Sequence, residues 1–326
     1  MFPAGAVNRD MLKLLFHVMT LAGHLLSTPI YIVHDACGVD KEARDDCPRP
    51  RPFSLQTQYL QVESADFKKL PNQSLGYRQF DATFLCTLPL TPQSGVLFST
   101  GYVGANILWD NTQPTPGDPN SLGYYTFQDK SYYSYILLSA GAYTLSLRNW
   151  QWSVVLSSLI DPENMEAGYG LYQGVLSGKY QATQQLSVIF GVINETGLHQ
   201  EKAWPLLGAT YKPNDKLTIN CIYPVNFSVE YNCTSVCDFG AAYRLTRLRK
   251  KLHSNDLASS EGIFEYQGRE IEGNVRLCPW PGSFIKLFYG WSIGSDISLA
   301  DSHNNNVSNY PFKSSAFFGG SALLSF

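Results

Sequence analysis

The stretch FIKLFYGWSIGSDI, residues 284–297, alternates between two classes of side chain. Its odd positions are mainly apolar: Ile285, Leu287, Tyr289, Trp291, Ile293 and Ile297. Its even positions include small or polar residues: Lys286, Gly290, Ser292, Gly294 and Asp296. Successive side chains of a β-strand point to opposite faces, so the pattern predicts a strand with one apolar face. The same period recurs in QWSVVLSSLI (151–160), KLTINCIY (216–223) and QLSVIFGVI (185–193). A soluble β-sandwich would show this alternation as well.

The links between these segments alternate between short and long. Short links are LPLTPQSG, RNWQ, QATQQ, KPND, YNCTS and CPWPGS, and between them come DNTQPTPGDPNSLGYYTFQDK, DPENMEAGYG, ETGLHQEKA, RLTRLRKKLHSNDLASS and ADSHNNNVSNYP. YPVN is the exception, a short link where a long one is due. Short periplasmic turns opposite long outer loops are typical of transmembrane β-barrels. We therefore predict an all-β, antiparallel transmembrane β-barrel of about 14 strands, with 12 as the alternative.

Aromatic residues occur near both predicted interfaces with the membrane. Trp150, Trp152 and Trp280 lie at short turns, and a second set lies near the long loops: Trp109, Tyr124, Tyr125, Tyr132, Tyr133, Trp204 and Tyr310. Amphipathic rings prefer the headgroup level, so this distribution predicts two aromatic girdles.

The last segment, GGSALLSF, places Phe318, Leu324 and Phe326 on one face. A final amphipathic strand with a terminal aromatic resembles the signal that barrel-assembly machinery recognises, which makes that machinery an expected partner.

The only long apolar run of the chain lies near its start, between Met11 and Val33. Lys13 before an apolar stretch is typical of a secretory signal peptide. We predict a signal peptide over residues 1–36, with Met11 as an alternative start. A Cys/Pro-rich periplasmic segment follows over residues 37–52, and the barrel occupies residues 53–326.

The composition excludes several classes of protein. With 24 basic and 27 acidic residues, the net charge of −3 gives no electrostatic reason to expect nucleic acid. Only 16% of residues are charged, against about 25% in typical soluble domains, so part of the surface is expected to contact lipid. Outer-membrane lipid and lipopolysaccharide are therefore expected partners. We assign no catalytic residues, metal site or cofactor.

The run WPLLGATYKPNDKLTINCIYPVNFSVEYN, residues 204–232, resembles a family of Gram-negative outer-membrane β-barrels of unknown function. The matching features are the strand at 205–208, the turn at 213–215, the Tyr223-Pro224 pair and the strand ending at Tyr231. The resemblance extends over about the last two thirds of the chain and implies an outer-membrane location. The high cysteine content is similar to that of the disulfide-linked envelopes of chlamydiae, which indicates a chlamydial-type protein with disulfide-linked envelope partners.

The seven cysteines are numerous for a porin-like barrel. Disulfides form in the periplasm, and Cys37 and Cys47 as well as Cys233 and Cys237 are candidate pairs. Cysteines that act as small apolar residues are the alternative. A zinc site is disfavoured because the Cys-x3-Cys spacing lacks a second half.

Charged residues on the predicted inner face include Lys179, Glu230, Arg244, Lys286 and Asp296. Their mixed signs suit a hydrated lumen without ion preference, or a lumen closed by cross-strand pairs. The basic run 247–253, RLRKKLH, is predicted to lie in an outer loop, either solvated or in contact with phosphate groups.

Taken together, these features lead us to expect a pore-forming or structural component of the bacterial outer membrane. An enzyme built on the barrel, such as a hydrolase, and a surface adhesin are the alternatives.

Overall fold

The computed structural model describes residues 51–69, 73–91, 93–111, 132–147, 150–224, 226–252, 262–305 and 307–326. The signal peptide, the Cys/Pro-rich segment up to Pro50, and Cys37 and Cys47 lie outside these residues. One antiparallel sheet runs from β11 back to β1, continues through β16, β13 and β12, and closes where β12 pairs with β11.

The strands cover most of the described chain, with one 3-10 turn at Ala167–Tyr169 after β5. They are β1 Phe53–Asp66, β2 Gln73–Thr91, β3 Ser94–Asn111, β4 Tyr132–Leu147, β5 Trp150–Ile160, β6 Leu171–Gln181, β7 Leu186–Gly197, β8 Gln200–Asn214, β9 Leu217–Tyr223, β10 Asn226–Thr234, β11 Cys237–Lys251, β12 Ile263–Trp280, β13 Ser283–Ser292, β14 Asp296–Ala300, β15 Ser308–Pro311 and β16 Ala316–Ser325. Among the described residues, no helix is long and apolar enough to span a bilayer.

The 16 strands form a ring of 14 positions. β13 and β14 both pair with β12, so β14 continues the path of β13 after a short break. β15 and β16 also share one position in the ring. β16 pairs with β1, and Phe312, just after β15, bridges to Phe67, just after β1. The structure confirms the predicted 14 strands, and the alternative of 12 is wrong.

The two ends of the barrel differ as the link lengths predict. At one end, here the turn end, every hairpin closes over two to four residues, as at 215–216 and 281–282. The other end, the loop end, carries the long links. One of these was predicted wrongly: ETGLHQEKA is a continuous hairpin closed by Leu198 and His199, at φ 49° and 54°. Two consecutive residues at positive φ are what a tight two-residue hairpin requires, so no long loop is needed.

Large apolar side chains point outward all round the barrel. Phe80, Phe98, Leu156, Leu207 and Leu287 are between 46% and 63% exposed. At the turn end Trp150 stacks on Trp152, and Phe53 contacts both Phe84 and Phe326. Tyr133 and Trp204 depart from the predicted girdle, because both are buried inside the barrel. The sequence placed them at the correct height but on the wrong face.

Candidate functional site: the closed mouth of the barrel

The barrel wall is uneven at the loop end. β9 has 7 residues and β10 has 9, whereas the flanking strands β8 and β11 have 15 each. β8 pairs with β9 only from Leu207 onward, and β11 pairs with β10 only as far as Tyr243. Residues 200–206 of β8 and 244–251 of β11 therefore face a notch in the ladder. The end of β9 at Tyr223, where the Tyr223–Pro224 peptide bond is cis, marks the floor of this notch.

Above the notch, β11 and β12 form what we name the plug hairpin, residues 244–251 and 263–270. Its two strands remain paired from Arg244 and Glu270 up to Lys251 and Ile263. Both of its faces are buried: Leu248, Phe264 and Tyr266 on one, Arg247, Arg249 and Glu265 on the other. A barrel strand normally has one face against lipid or water, so the hairpin must lie inside the mouth.

The first face of the plug hairpin contacts the far wall of the barrel. Tyr266 stacks on Tyr77 of β2 with ring centroids 4.0 Å apart, and Phe264 stacks on Tyr133 of β4 at 5.4 Å. The Tyr135 hydroxyl of β4 donates to the Arg249 carbonyl oxygen at 2.5 Å. Counted around the ring of 14, β4 is seven positions from β11 in either direction, so the hairpin spans the full diameter.

This face also carries one buried ion pair. Lys250 Nζ lies 3.1 Å from Asp161 Oδ2, and both side chains are at most 1% exposed. The ammonium group is also 5.6 Å and 5.5 Å from the ring centroids of Tyr133 and Tyr135. A buried charge requires a partner because its desolvation is costly, so this pair fixes where the hairpin sits against the end of β5.

The second face of the plug hairpin binds the β7–β8 hairpin through charged and polar groups. Arg247 contacts Glu195 of β7 at 2.8 Å, Gln200 of β8 at 3.1 Å and Glu265 of its own hairpin at 2.7 Å. Arg249 also pairs with Glu265, and it donates to the Leu198 carbonyl oxygen at 3.1 Å. These side chains close the notch in place of a backbone ladder.

A second contact of Arg249 ties in the β14–β15 link. Its guanidinium donates to Asn304 Oδ1 at 2.8 Å, as well as to the Leu198 carbonyl oxygen. The tips of the β7–β8 and β14–β15 hairpins are thus held to the same arginine. Among the described residues, three outer hairpins meet over the lumen at this point.

The basic run 247–253 was therefore misplaced by the sequence. Arg247, Arg249 and Lys250 belong to β11, are buried and are paired with acids, so they do not form a solvated loop cluster. One feature of the sequence indicates this. Along β12 the apolar residues change parity, from Phe264 and Tyr266 at even positions to Ile271, Val275 and Leu277 at odd ones. Such a switch means that, beyond the lipid belt, the inner face of β12 becomes the apolar face that is shielded from water.

The turn half of the lumen is polar and reached by solvent. Arg276 pairs with Asp238 at 2.8 Å and with Glu230 at 3.4 Å, and the Arg276 and Glu230 side chains are 29% and 32% exposed. Lys286 and Arg244 both pair with Glu272, at 2.6 Å and 2.9 Å. The pairs run along the wall from β10 to β13, so charges there balance locally.

Four of the five predicted lumen charges lie on the inner face: Lys179, Glu230, Arg244 and Lys286. Asp296 does not. Ile297 is fully buried in the core and pairs with Tyr266, so its neighbour Asp296 shares the opposite face with Gln267. The break between β13 and β14, at residues 293–295, reverses the alternation that the sequence suggested.

The described cysteines are free thiols: Cys86, Cys221, Cys233, Cys237 and Cys278. The predicted Cys233–Cys237 disulfide is therefore absent from this structure. Cys233 is exposed at the end of β10, and Cys237 begins β11 after the two-residue turn. Among the residues that the structure describes, no group of three or more His, Cys, Asp or Glu side chains could hold a metal ion.

The C-terminal strand β16 lies between β1 and β13 in the ring. β16 pairs with β1, and the backbone amide groups of Phe53 and Phe326 each donate to the other residue's carbonyl oxygen. Phe318, Leu324 and Phe326 point outward and are 39%, 43% and 60% exposed. The face predicted to carry the assembly signal is thus on the outside of the barrel. Its recognition stays a prediction.

Comparison with known proteins gives close relatives by sequence. A protein of Chlamydia pneumoniae described as uncharacterized is 70% identical over 317 residues, which is 97% of this chain and 100% of that protein. Proteins of Chlamydia muridarum (strain MoPn / Nigg) and Chlamydia trachomatis serovar D, described in the same way, are 62% and 61% identical over the same shares. No protein-family model matches the chain.

Comparison with solved structures finds barrels at low similarity. An outer-membrane channel from Pseudomonas putida F1 has a TM-score of 0.42 and 10% identity, over 88% of this chain and 100% of that chain. A deltaS2S3 mutant of the TodX monoaromatic hydrocarbon channel has the same TM-score and identity, over 85% and 91%. The outer-membrane protease OmpT from Escherichia coli has a TM-score of 0.22 and 9% identity, over 84% and 95%. All three scores lie below 0.5.

The location follows from the barrel itself and from its relatives. Only helices and closed barrels satisfy every backbone group in lipid, and this ring of 14 strands is closed, with an apolar outer surface. Bacterial barrels of this kind lie in the outer membrane, with short turns on the periplasmic side and longer loops outside. This chain belongs to the chlamydial protein family that its three relatives represent, and it is an outer-membrane β-barrel protein.

Proposed function

We propose that this protein is a passive outer-membrane channel whose outer mouth is closed by its own plug hairpin. One observation carries the proposal: the hairpin spans the lumen diameter, while the periplasmic half below it is polar and accessible to solvent. The mixed, locally paired charges of that half favour small solutes of either sign. No catalysis is part of this proposal.

The way in which the plug hairpin is held favours a movable closure. Towards β7 and β8 it is joined by charged and polar side chains without a ladder, and water can replace such contacts one at a time. Buried ion pairs contribute little net stability compared with apolar packing of similar volume, but they fix one arrangement. A permanent seal would be built more simply from apolar side chains or from a full-length β9–β10 pair.

Conductance in planar bilayers tests the proposal. The native protein should show rare or no openings. A variant in which residues 246–268 are replaced by Asn-Gly, a pair that favours tight hairpins, should conduct steadily because the plug is gone. Heat-modifiable gel mobility verifies that both proteins are folded barrels. A folded, shortened variant that does not conduct would overturn the channel and favour a purely structural envelope role.

The expected partners extend this proposal. We propose that the outward face of Phe318, Leu324 and Phe326 is read by barrel-assembly machinery, and that lipopolysaccharide surrounds the outer rim. The exposed thiol of Cys233, at the periplasmic end, is available for a disulfide with another envelope protein. Non-reducing electrophoresis of intact envelopes tests this link: a mixed disulfide that disappears in Cys233→Ser supports it, and migration as a monomer overturns it.

A further inference from the structure

Two histidine side chains lie beside each other at the loop end of the barrel. His199 is the second residue of the β7–β8 turn, and His303 belongs to the link between β14 and β15. Their ring centroids are 5.8 Å apart, and the ring planes are tilted by 48°. Both residues are exposed to solvent. The pair therefore brings together two outer hairpins that belong to different parts of the wall.

Leu198 holds the β7–β8 turn against the other two outer hairpins. Its side chain is buried and packs with Ile263 of the plug hairpin and with Ala300, the last residue of β14. A large residue at positive φ is unusual, because its Cβ atom comes close to the following carbonyl oxygen. Burial of the side chain offsets that cost, so the backbone next to His199 is fixed by the core.

Arg249 fixes the positions next to both histidines. Its Nη2 atom donates to the Leu198 carbonyl oxygen at 3.1 Å and to Asn304 Oδ1 at 2.8 Å. Leu198 precedes His199, and Asn304 follows His303. Because Arg249 is itself buried, the spacing of the two rings is set by the folded mouth and does not depend on two independent loops.

Hydrogen bonds within the β14–β15 link orient the second ring. Asp301 Oδ1 accepts the backbone amide groups of His303 at 3.0 Å and of Asn305 at 2.7 Å. Ser302 Oγ lies 3.1 Å from His303 Nδ1. In the tautomer with the proton on Nδ1, the hydroxyl accepts it and Nε2 keeps a free lone pair. A second ring nitrogen held in this way is typical of histidines that bind metal ions.

The spacing and tilt of the rings suit a shared metal ion. With metal–nitrogen bonds of about 2.1 Å, two imidazoles on one ion have ring centroids about 5–6 Å apart. The measured 5.8 Å falls within that interval. The lone pairs lie in the ring planes, so parallel stacked rings could not aim at one point, whereas tilted rings can. Exposure lets an ion enter and lets water complete its coordination.

We propose that His199 and His303 bind one divalent transition-metal ion of the zinc type. Imidazole nitrogen suits zinc, copper and nickel, whereas calcium and magnesium prefer oxygen ligands. Two protein ligands are fewer than a structural zinc site has, so the binding is reversible. A bound ion cross-links the tips of the β7–β8 and β14–β15 hairpins, both of which are joined to Arg249 of the plug hairpin. Its effect on opening rests on the proposed channel, but the binding does not.

Isothermal titration calorimetry tests the site. The full chain, without a histidine tag, is refolded in detergent micelles and titrated with zinc chloride. We expect one Zn²⁺ per chain and no binding of Mg²⁺. His199→Gln and His303→Gln should each weaken Zn²⁺ binding about 100-fold, because the second imidazole otherwise binds in an intramolecular step. Both rings are exposed, so these variants should still form barrels with heat-modifiable gel mobility.

His253→Gln is the matched control, because it removes a histidine that is not part of the pair. It should bind Zn²⁺ as the native protein does. The proposal is overturned if the native protein binds no Zn²⁺, if either variant of the pair binds as tightly as the native protein, or if His253→Gln loses as much affinity as they do.

Conductance in planar bilayers tests the cross-link separately. Glu195→Gln loosens the contact of β7 with Arg247, and added Zn²⁺ should make its openings rarer. The triple variant that also carries His199→Gln and His303→Gln should not respond. Openings that Zn²⁺ leaves unchanged, in a protein that binds the ion, overturn the cross-link. A protein that binds Zn²⁺ as expected but never conducts contradicts the channel and supports the metal site.

Discussion

The two faces of the plug hairpin are held in different ways. Towards β2, β4 and β5 the hairpin packs through stacked rings and a buried ion pair. Towards β7 and β8 it is joined by a network of arginine, glutamate and glutamine side chains. The aromatic face excludes water and provides stability, whereas the polar face specifies position and can exchange its contacts for water. The two walls of the barrel therefore hold the hairpin by different physical means: apolar packing on one side and exchangeable polar contacts on the other.

The largest expected effect comes from the Lys250–Asp161 ion pair of the aromatic face. Asp161→Ala leaves the Lys250 ammonium buried without its carboxylate, and this should lower the free energy of unfolding by about 3–5 kcal/mol. Urea unfolding in phospholipid vesicles, followed by tryptophan fluorescence, measures the change. The double variant Asp161→Leu with Lys250→Met removes both charges and should recover most of the loss. A single variant as stable as the native protein would show that water reaches Lys250.

The next effect concerns the stacked rings. Tyr266→Ala removes a fully buried ring from its contact with Tyr77 and should cost roughly 3–4 kcal/mol, the usual range for deleting a large aromatic side chain from a core. Tyr266→Phe keeps the ring and should cost less than about 1.5 kcal/mol, because it removes only the hydroxyl group. The same urea titration distinguishes the two variants, and equal losses would contradict a role for ring packing.

The smallest effect on the free energy of unfolding is expected at the polar face. A change there should instead alter how often the proposed channel opens. Glu195→Gln weakens the link from β7 to Arg247, while Glu265 of the plug hairpin itself still pairs with that arginine. The free energy of unfolding should change by about 1 kcal/mol or less, but openings in planar bilayers should become more frequent. Asp66→Asn is the control, because the exposed Asp66–Lys313 pair at the same end should contribute little. If Glu195→Gln and Asp66→Asn gave the same conductance record, the polar face would not be the releasable one.

Much of the barrel follows from local sequence patterns. Period-two alternation predicts the strands, and the sorting of short and long links predicts the closed ring and its two ends. Even the exceptional YPVN link was read correctly. Two errors concern the alternation itself. The break between β13 and β14, before Ile297, turned Asp296 away from the lumen. The strands of ETGLHQEKA continue where the sequence predicted a long loop.

The plug hairpin was missed for a non-local reason. Arg247 meets Glu195, which is 52 residues away in sequence, so the run RLRKK looks solvated when it is considered alone. The parity switch between Tyr266 and Ile271 shows that one face of β12 becomes dry, but it does not say what covers that face.

The amino-acid sequence is enough to identify a barrel, because side-chain direction in a strand is set by the backbone period and needs no distant partner. The position of the plug hairpin across the mouth becomes visible only in the folded barrel. Closure depends on β9 and β10 being shorter than their neighbours and on the hairpin beside them reaching a wall seven strands away. Those distances arise when the ring closes, and no local pattern of residues encodes them.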